Sequence, residues 1–278
     1  MPSKALSILM LFVLSLSAAC ATRAASAPPS AAPTHAPQNL TVLAAASLTE
    51  SFTEIGHAFE AQNPGVKVSF SFAGSQQLAQ QLAQGVGADV FASANIKYMD
   101  AMLEAGRVKS GDAETFAKNR LVVIFPKYNP AAMKALKDLA KPGLKLDLAD
   151  PSVPVGQYTL KFLDKAAKDS HFGPAFKNVV LKNVVSYEDN VKAVVTKVAL
   201  GEADAGVVYT TDVTPDVAAK ITKLAIPDAL NTIATYPIAP ISDSQNPALA
   251  RAFVSFVLSP AGQAILGKYG FIPVTTTP

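Results

Sequence analysis

Leu40 to Ala46 is an almost unbroken apolar run, the pattern of a strand buried on both faces. From Ser47 to about Gln62 the positions Leu48, Phe52, Ile55 and Phe59 recur at spacings of four, three and four. That spacing lays one apolar face along a helix, and Asn63-Pro64-Gly65 ends it. Val66, Val68, Phe70 and Phe72 then alternate with Lys67, Ser69 and Ser71, as in a strand with one polar face. Ser75 to Gln84 reads as a short helix closed by Gly85, Asp89 to Ser93 as a third strand, and Ile96 to Ala105 as another helix. The order β-α-β-α-β-α predicts a parallel sheet covered by helices.

A second unit of similar size follows. Leu121 to Phe125 is an apolar strand ended by Pro126, Ala131 to Ala140 is helical and Leu144 to Ala149 extended. Gln157 to Ala167 is helical, Val184 to Tyr187 a strand, Val191 to Leu200 a helix and Ala205 to Tyr209 a strand. Pro247 to Leu258 and Pro260 to Lys268 form two tail helices separated at Ser259-Pro260. No short-period repeat runs through the chain. The pattern as a whole is α/β.

Composition sets the scale. The chain has 278 residues, 50% of them hydrophobic and 16% charged, enough to bury one large domain or two lobes. The formal charge of +3 is spread thinly, and no basic run interleaved with aromatics suggests nucleic acid. At the N-terminus Lys4 precedes an apolar stretch from Ala5 to Leu16 and then Ser17-Ala18-Ala19-Cys20. A charged start, a short apolar run and small residues read as a secretory signal over residues 1–19. Cys20 is the only cysteine, so no intrachain disulfide forms. Its place after small residues resembles a bacterial lipobox, which makes Cys20 the candidate lipidation site. Ser17 stands where the lipobox has Leu, with Leu16 one place further back, so plain cleavage nearby, for example after Ala21, stays open. Residues 20–38, rich in Ala, Ser, Thr and Pro, read as a flexible tether. No other stretch is long and apolar enough to span a bilayer.

The chemistry concentrates at two serines, Ser47 in Ala44-Ala45-Ala46-Ser47 and Ser75 in Ala73-Gly74-Ser75. Each follows a strand and opens a helix, where free backbone N–H groups favour an anion. Ser is also a preferred N-cap, so capping competes with ligand binding at both positions. The small residues before each serine let a backbone approach a ligand closely. In the second unit Val153-Pro154-Val155-Gly156 and Asp189-Asn190-Val191 precede helices, leaving the N–H groups of Val155 and Val191 as donors while Asp189 and Asn190 read as caps. Tyr209 ends a strand, either packed or offering its hydroxyl to an oxyanion.

Catalytic readings are poor. His35, His57 and His171 have no partner at metal-ligand spacing, and no nucleophile elbow, Walker loop or dinucleotide glycine pattern occurs. Asp89, Asp147 and Asp150 lie at or near strand ends and read as surface or capping residues. The expectation is a binding protein with no catalytic residue and no cofactor.

These segments, in this order, resemble the molybdate-binding proteins of bacterial molybdate ABC transporters. The resemblance covers about residues 39–275. It rests on Ala44-Ala45-Ala46-Ser47-Leu48, Ser71-Phe72-Ala73-Gly74-Ser75, Gly87-Ala88-Asp89-Val90-Phe91-Ala92-Ser93-Ala94, and Asp150-Pro151 with Val153-Pro154-Val155-Gly156. Glu188-Asp189-Asn190-Val191, Gly206-Val207-Val208-Tyr209 and Lys268-Tyr269-Gly270-Phe271 complete it. The resemblance implies oxyanion ligands at Ser47 and Ser75 (hydroxyls), Val155 and Val191 (main-chain N–H) and Tyr209 (hydroxyl), with molybdenum held only as the bound oxyanion. The family often has Ala where this chain has Val155, a change that leaves a backbone contact intact. The implied fold is the two-lobed, type II periplasmic-binding-protein architecture, each lobe a mostly parallel sheet flanked by helices. Lobe one is expected at 39–120 and 238–278 and lobe two at 121–237, with crossings near Asn119–Leu121 and Tyr236–Ala239. The implied role is an extracytoplasmic, lipid-anchored monomer that captures molybdate, and tungstate with it, for a membrane permease. Another tetrahedral oxyanion such as sulfate or phosphate, an extracytoplasmic enzyme, and a sensor domain are the competing readings.

Overall fold

The computed structural model describes residues 38–274; the signal segment, Cys20 and nearly all of the tether lie outside them. In the first part of the chain β1 (Gln38–Ala45), β2 (Val66–Ala73), β3 (Val90–Ala92) and β4 (Glu114–Asn119) are joined through α1 (Thr49–Gln62), α2 (Ser75–Ala83) and α3 (Ile96–Glu104). The middle part runs β5 (Leu121–Pro126), β6 (Leu146–Ala149), α4 (Pro154–Lys168), α5 (Phe176–Lys182), β7 (Val184–Glu188), α6 (Val191–Leu200), β8 (Ala205–Tyr209), α7 (Pro215–Ala218) and β9 (Ile221–Ala225). The last part holds β10 (Ala234–Pro240), α8 (Pro247–Leu258), α9 (Pro260–Lys268) and β11 (Ile272–Pro273).

Two sheets result, one per lobe. The first has the order β11-β4-β10-β3-β1-β2 and the second β7-β6-β8-β5-β9. Both are mixed, where the sequence predicts mostly parallel sheets. β1 pairs parallel with β2 and β3, but β10 runs antiparallel to β3 and β4. β6 pairs parallel with β7 and β8, whereas β5 is antiparallel to β8 and β9. The reversed strands flank the crossings between sheets, and the local β-α-β periodicity carries no information about their direction. The chain leaves the first sheet at Asn119 and enters the second at Leu121. It returns between Ala225 and Ala234, earlier than the expected Tyr236–Ala239, because all of β10 pairs within the first sheet.

The first sheet is packed on both faces, which is why β1 reads as a continuous apolar run. Leu40, Val42 and Ala44 point toward α1, α8 and α9, where Phe52 meets Phe116 and Phe253 at ring separations of 5.5 and 6.2 Å. Leu43, one residue out of phase, faces Leu78, Leu82, Met99 and Met102 of α2 and α3. In the second lobe, α4 and α6 both pack against β5, β6 and β8. The helix expected over 131–140 is reduced to a 3-10 turn at Leu136–Ala140. Asn129 explains this: its side chain accepts from the N–H of Met133 at 2.7 Å and donates to the Met133 carbonyl at 2.9 Å. Such local side-chain bonds compete with helix formation, and Asn129 and Ala132 sit at φ of 47° and 49°. Among the described residues no single helix is long and apolar enough to cross a membrane.

Candidate functional site

Register brings the two serines together. β1 and β2 pair in step from Gln38↔Val66 to Ala45↔Ala73, so both strands end at the same level. The segments that follow, Ala46-Ser47 and Gly74-Ser75, therefore lie side by side at the carboxyl edge of the sheet, where ligands bind in open α/β folds. The second sheet repeats the device. Ala149 of β6 pairs with Glu188 of β7, which aligns the turns leading into α4 and α6. β8 lies beside β6 and ends at Tyr209, opposite Leu121 at the crossing.

One small cavity between the lobes is lined by Ser47, Ser75, Val155, Val191 and Tyr209, the five residues singled out from the sequence. The remaining lining is Ala45, Ala46, Ala73, Gly74, Ala94, Val153, Pro154 and Asn190. Among the described residues no charged side chain contributes. The space open to the centre of a water-sized sphere is about 10 Å³, far too little for a sugar or a peptide.

Neither serine caps its helix with its side chain. Ser47 lies in a 3-10 turn, Ala46–Leu48, ahead of α1, and its Oγ is 3.0 Å from the hydroxyl of Tyr236. Ser75 is the first residue of α2, whose N-cap is Gly74, and its Oγ accepts from the backbone N–H of Ala94 at 3.0 Å. Val155 is the second residue of α4 and Val191 the first of α6. At those positions an N–H has no acceptor within its own helix. Asn190 is the cap expected of it, accepting from the N–H of Ala193 at 3.1 Å. Pro154 starts α4 three residues earlier than the apolar spacing indicates, as proline does at a first helical position.

Tyr209 is buried, and its hydroxyl has no hydrogen-bond partner among the described residues. A buried unpaired hydroxyl facing a cavity points to a solute as its partner. Burial raises the Tyr209 and Tyr236 hydroxyls well above the usual tyrosine range, so both keep their protons at neutral pH. The site combines hydroxyl donors, free amides and the positive ends of α2, α4 and α6.

The lobes are clasped over this cavity. Gln76 donates to the Asp189 carbonyl at 2.6 Å and Gln77 to the Asp189 carboxylate at 3.0 Å. Asn95 donates to Gln157 at 3.3 Å, and the Tyr98 hydroxyl donates to the Ser152 carbonyl. Asp189 thus bridges the lobes, where the sequence suggests only a cap. These clasp residues, with Tyr236, are the part that sequence reasoning misses.

The three aspartates do not line the cavity. Asp89 is buried rather than at the surface; it accepts from the N–H of Thr41 in β1 and from Ser244, tying the strand to the segment before α8. Asp150 closes a turn with Ser152. Asp147 is fully buried in β6, and neither of its oxygens is hydrogen-bonded among the described residues, contrary to a surface role. Among the described residues no cluster of His, Cys, Asp and Glu could hold a metal ion.

Two α/β lobes closing on a neutral, donor-lined cavity describe a binding protein for a small solute. The chain belongs to the bacterial extracellular solute-binding protein family, whose family model matches residues 40–272. It is 42% identical over 253 residues to the molybdate-binding protein ModA of Mycobacterium tuberculosis (strain H37Rv), covering 91% of each chain. Its identity to molybdate-binding protein ModA of Haemophilus influenzae is 31% over 242 residues, covering 84% of this chain and 89% of that one. The periplasmic molybdate-binding protein of Azotobacter vinelandii superposes with a TM-score of 0.73 at 22% identity, covering 85% of this chain and 100% of that one, a likeness of fold.

Proposed function

We propose that this protein captures molybdate between its lobes and hands it to the permease of an ABC transporter. The observation that carries the reading is the cavity itself. Ser47, Ser75, Val155, Val191 and Tyr209 converge there with no carboxylate and no cationic side chain among the lining residues. Molybdate near neutral pH is a dianion with no proton to give. Neutral donors and helix ends stabilise such an ion, while a carboxylate would repel it. The names of the relatives identify the oxyanion, and tungstate, with the same charge and shape, is expected to bind as well. Sulfate shares both but has shorter bonds, so its exclusion falls to cavity size.

In this reading the protein carries out no reaction. It is a monomer tethered outside the cytoplasm by a lipid on Cys20, and residues 39–120 and 234–274 form one lobe against 121–233 in the other. Calorimetric titration with molybdate, then with sulfate and phosphate as competitors, tests the ligand. Tight one-to-one molybdate binding that millimolar sulfate leaves intact is the expected result. Binding of sulfate or phosphate without molybdate heat would replace the ligand.

A further inference from the structure

Behind Ser47 lies a chain of hydrogen bonds that spans both crossings between the lobes. Ser47 Oγ is 3.0 Å from the Tyr236 hydroxyl, which is 3.4 Å from Asn119 Nδ2. Asn119 ends β4 at the first crossing, and Tyr236 lies near the start of β10 after the second. Ser47, Tyr236 and Asn119 are all buried.

The direction of this chain follows from its far end. Asn119 Oδ1 lies 2.9 Å from the backbone N of Arg120 and 3.0 Å from Thr210 Oγ1. A backbone N–H only donates, so the atom facing it is the amide oxygen and Nδ2 points the other way. Nδ2 then donates to Thr211 Oγ1 at 2.8 Å and toward the Tyr236 oxygen. Tyr236 has one proton and two hydrogen-bonding partners, Ser47 Oγ and Asn119 Nδ2; the nearby Tyr209 hydroxyl lies outside hydrogen-bond geometry. Asn119 Nδ2 accepts nothing, so the proton goes to Ser47 Oγ. The reverse arrangement would leave a buried Tyr236 proton between two donors, which buried hydroxyls avoid.

Among the described residues Ser47 Oγ has no second protein partner. With Tyr236 donating to it, its own proton is free for the cavity. Ser75 is oriented in the same sense by the N–H of Ala94, which can only donate, and the Tyr209 hydroxyl is unpartnered among the described residues.

We infer that Tyr236, held by Asn119, is a positioning residue that turns the Ser47 proton into the cavity and so restricts the site to oxyanions that only accept hydrogen bonds. The inference rests on the oxyanion reading of the cavity and deepens it. The two oriented serine hydroxyls and the two amides are donors, and only the Tyr209 hydroxyl, at the loss of its own donation, could accept from a proton on the ligand. Hydrogen phosphate is then penalised by chemistry, independently of its size.

A double-mutant cycle tests this. Tyr236→Phe keeps the ring that packs against Phe116, Tyr209 and Phe271 and removes only the hydroxyl. Calorimetry with molybdate, sulfate and phosphate is run on wild type, Tyr236→Phe, Ser47→Ala and the double variant, with ligand-free melting as a control for folding. Tyr236→Phe is expected to weaken molybdate about tenfold, to weaken phosphate less, and to cost less than about twofold further in the Ser47→Ala background. Asn119→Asp, which draws the Tyr236 proton away from Ser47, is the second variant, with the same dependence on Ser47 expected.

An equal loss in both backgrounds, or an unchanged molybdate-to-phosphate ratio, would overturn the inference while leaving the molybdate reading intact. A wild type that prefers sulfate, with the cycle still coupled, would overturn the molybdate reading and keep the inference. Preference for hydrogen phosphate, or binding of no oxyanion, overturns both.

Discussion

Lys192 reaches across the interlobe cleft to Glu50, its Nζ lying 2.8 Å from each carboxylate oxygen. Lys192 follows Val191 at the start of α6, and Glu50 lies in the first turn of α1. The same ammonium is 3.6 Å from the buried Asp212, whose other oxygen accepts from the N–H of Tyr209 at 3.0 Å. One cation thus connects the two lobes beside the cavity and faces the carboxylate that fixes the backbone of Tyr209. Because Glu50 and Lys192 belong to different lobes, an opening of the lobes would separate this pair and leave Lys192 with Asp212.

That relationship predicts a salt-sensitive contribution to closure. Glu50→Gln removes the interlobe attraction without touching the cavity. A partly exposed pair contributes about 0.5–1 kcal/mol, so molybdate affinity is expected to fall about twofold to fivefold. The wild-type advantage should shrink at high ionic strength. Titrations of both proteins at low and high salt check this. An equal affinity at low salt would show that the pair does not favour the closed form.

Ser47→Ala and Ser75→Ala each remove one hydroxyl donor to a charged ligand. A loss of about 1.5–3 kcal/mol is expected for each, roughly tenfold to a hundredfold in affinity. Ligand-free melting should fall modestly, because each substitution leaves a buried donor, the Tyr236 hydroxyl or the Ala94 N–H, unpaired. Affinity measured by calorimetry beside ligand-free melting separates the two effects, and wild-type affinity in both variants would remove the serines from the site.

Gly74 is required by the closed form. A Cβ there would overlap the carbonyl oxygen of Asp189 on the opposing lobe, although the backbone at φ −59° suits any residue. Gly74→Ala should therefore hold the cleft apart while the lobes fold normally. Overpacking of this kind costs about 1–3 kcal/mol, or about fivefold to a hundredfold in affinity. Small-angle scattering with saturating molybdate should give a larger radius of gyration than wild type. Compaction equal to wild type would contradict the steric account.

Asp147 predicts a pH dependence of stability. Burial, reinforced by the Glu188 carboxylate and opposed by Lys197, pushes its carboxyl up to about 7. An aspartate in the unfolded chain titrates near ~3.9. Between those values the folded state binds more protons than the unfolded one, so stability falls as pH rises through that window. Asp212, pushed up to about 6 chiefly by burial, adds a slope of the same sign. Asp147→Asn should therefore gain melting temperature relative to wild type as pH rises from about 5 to about 8. A constant difference across that range would show that Asp147 is ionised throughout.

Local pattern was enough for the elements that build the cavity. β8 and α6 fall where spacing and apolar runs place them, and all five expected donors line one cavity. Four of them are main-chain or serine donors at strand-to-helix turns and the fifth, Tyr209, ends a strand, features written within a few residues. What governs Ser47 was not legible, because Tyr236 lies 189 residues away in sequence and no short-range signal links them. The clasp of Gln77 on Asp189 spans 112 residues and is equally silent. Strand direction near the crossings escaped for the same reason. β5 and β10 have ordinary strand patterns, and only their partners across the sheet make them antiparallel.

The central claim is that one molybdate sits among Ser47, Ser75, Val155, Val191 and Tyr209. A crystal of the protein grown with molybdate, measured at the molybdenum absorption edge, tests it most directly. The account predicts a single strong anomalous peak in that cavity, with its oxygens at hydrogen-bonding distance from the two serine hydroxyls, the two amides and the Tyr209 hydroxyl. A peak elsewhere, or none from a crystal in which the lobes are closed, would contradict it.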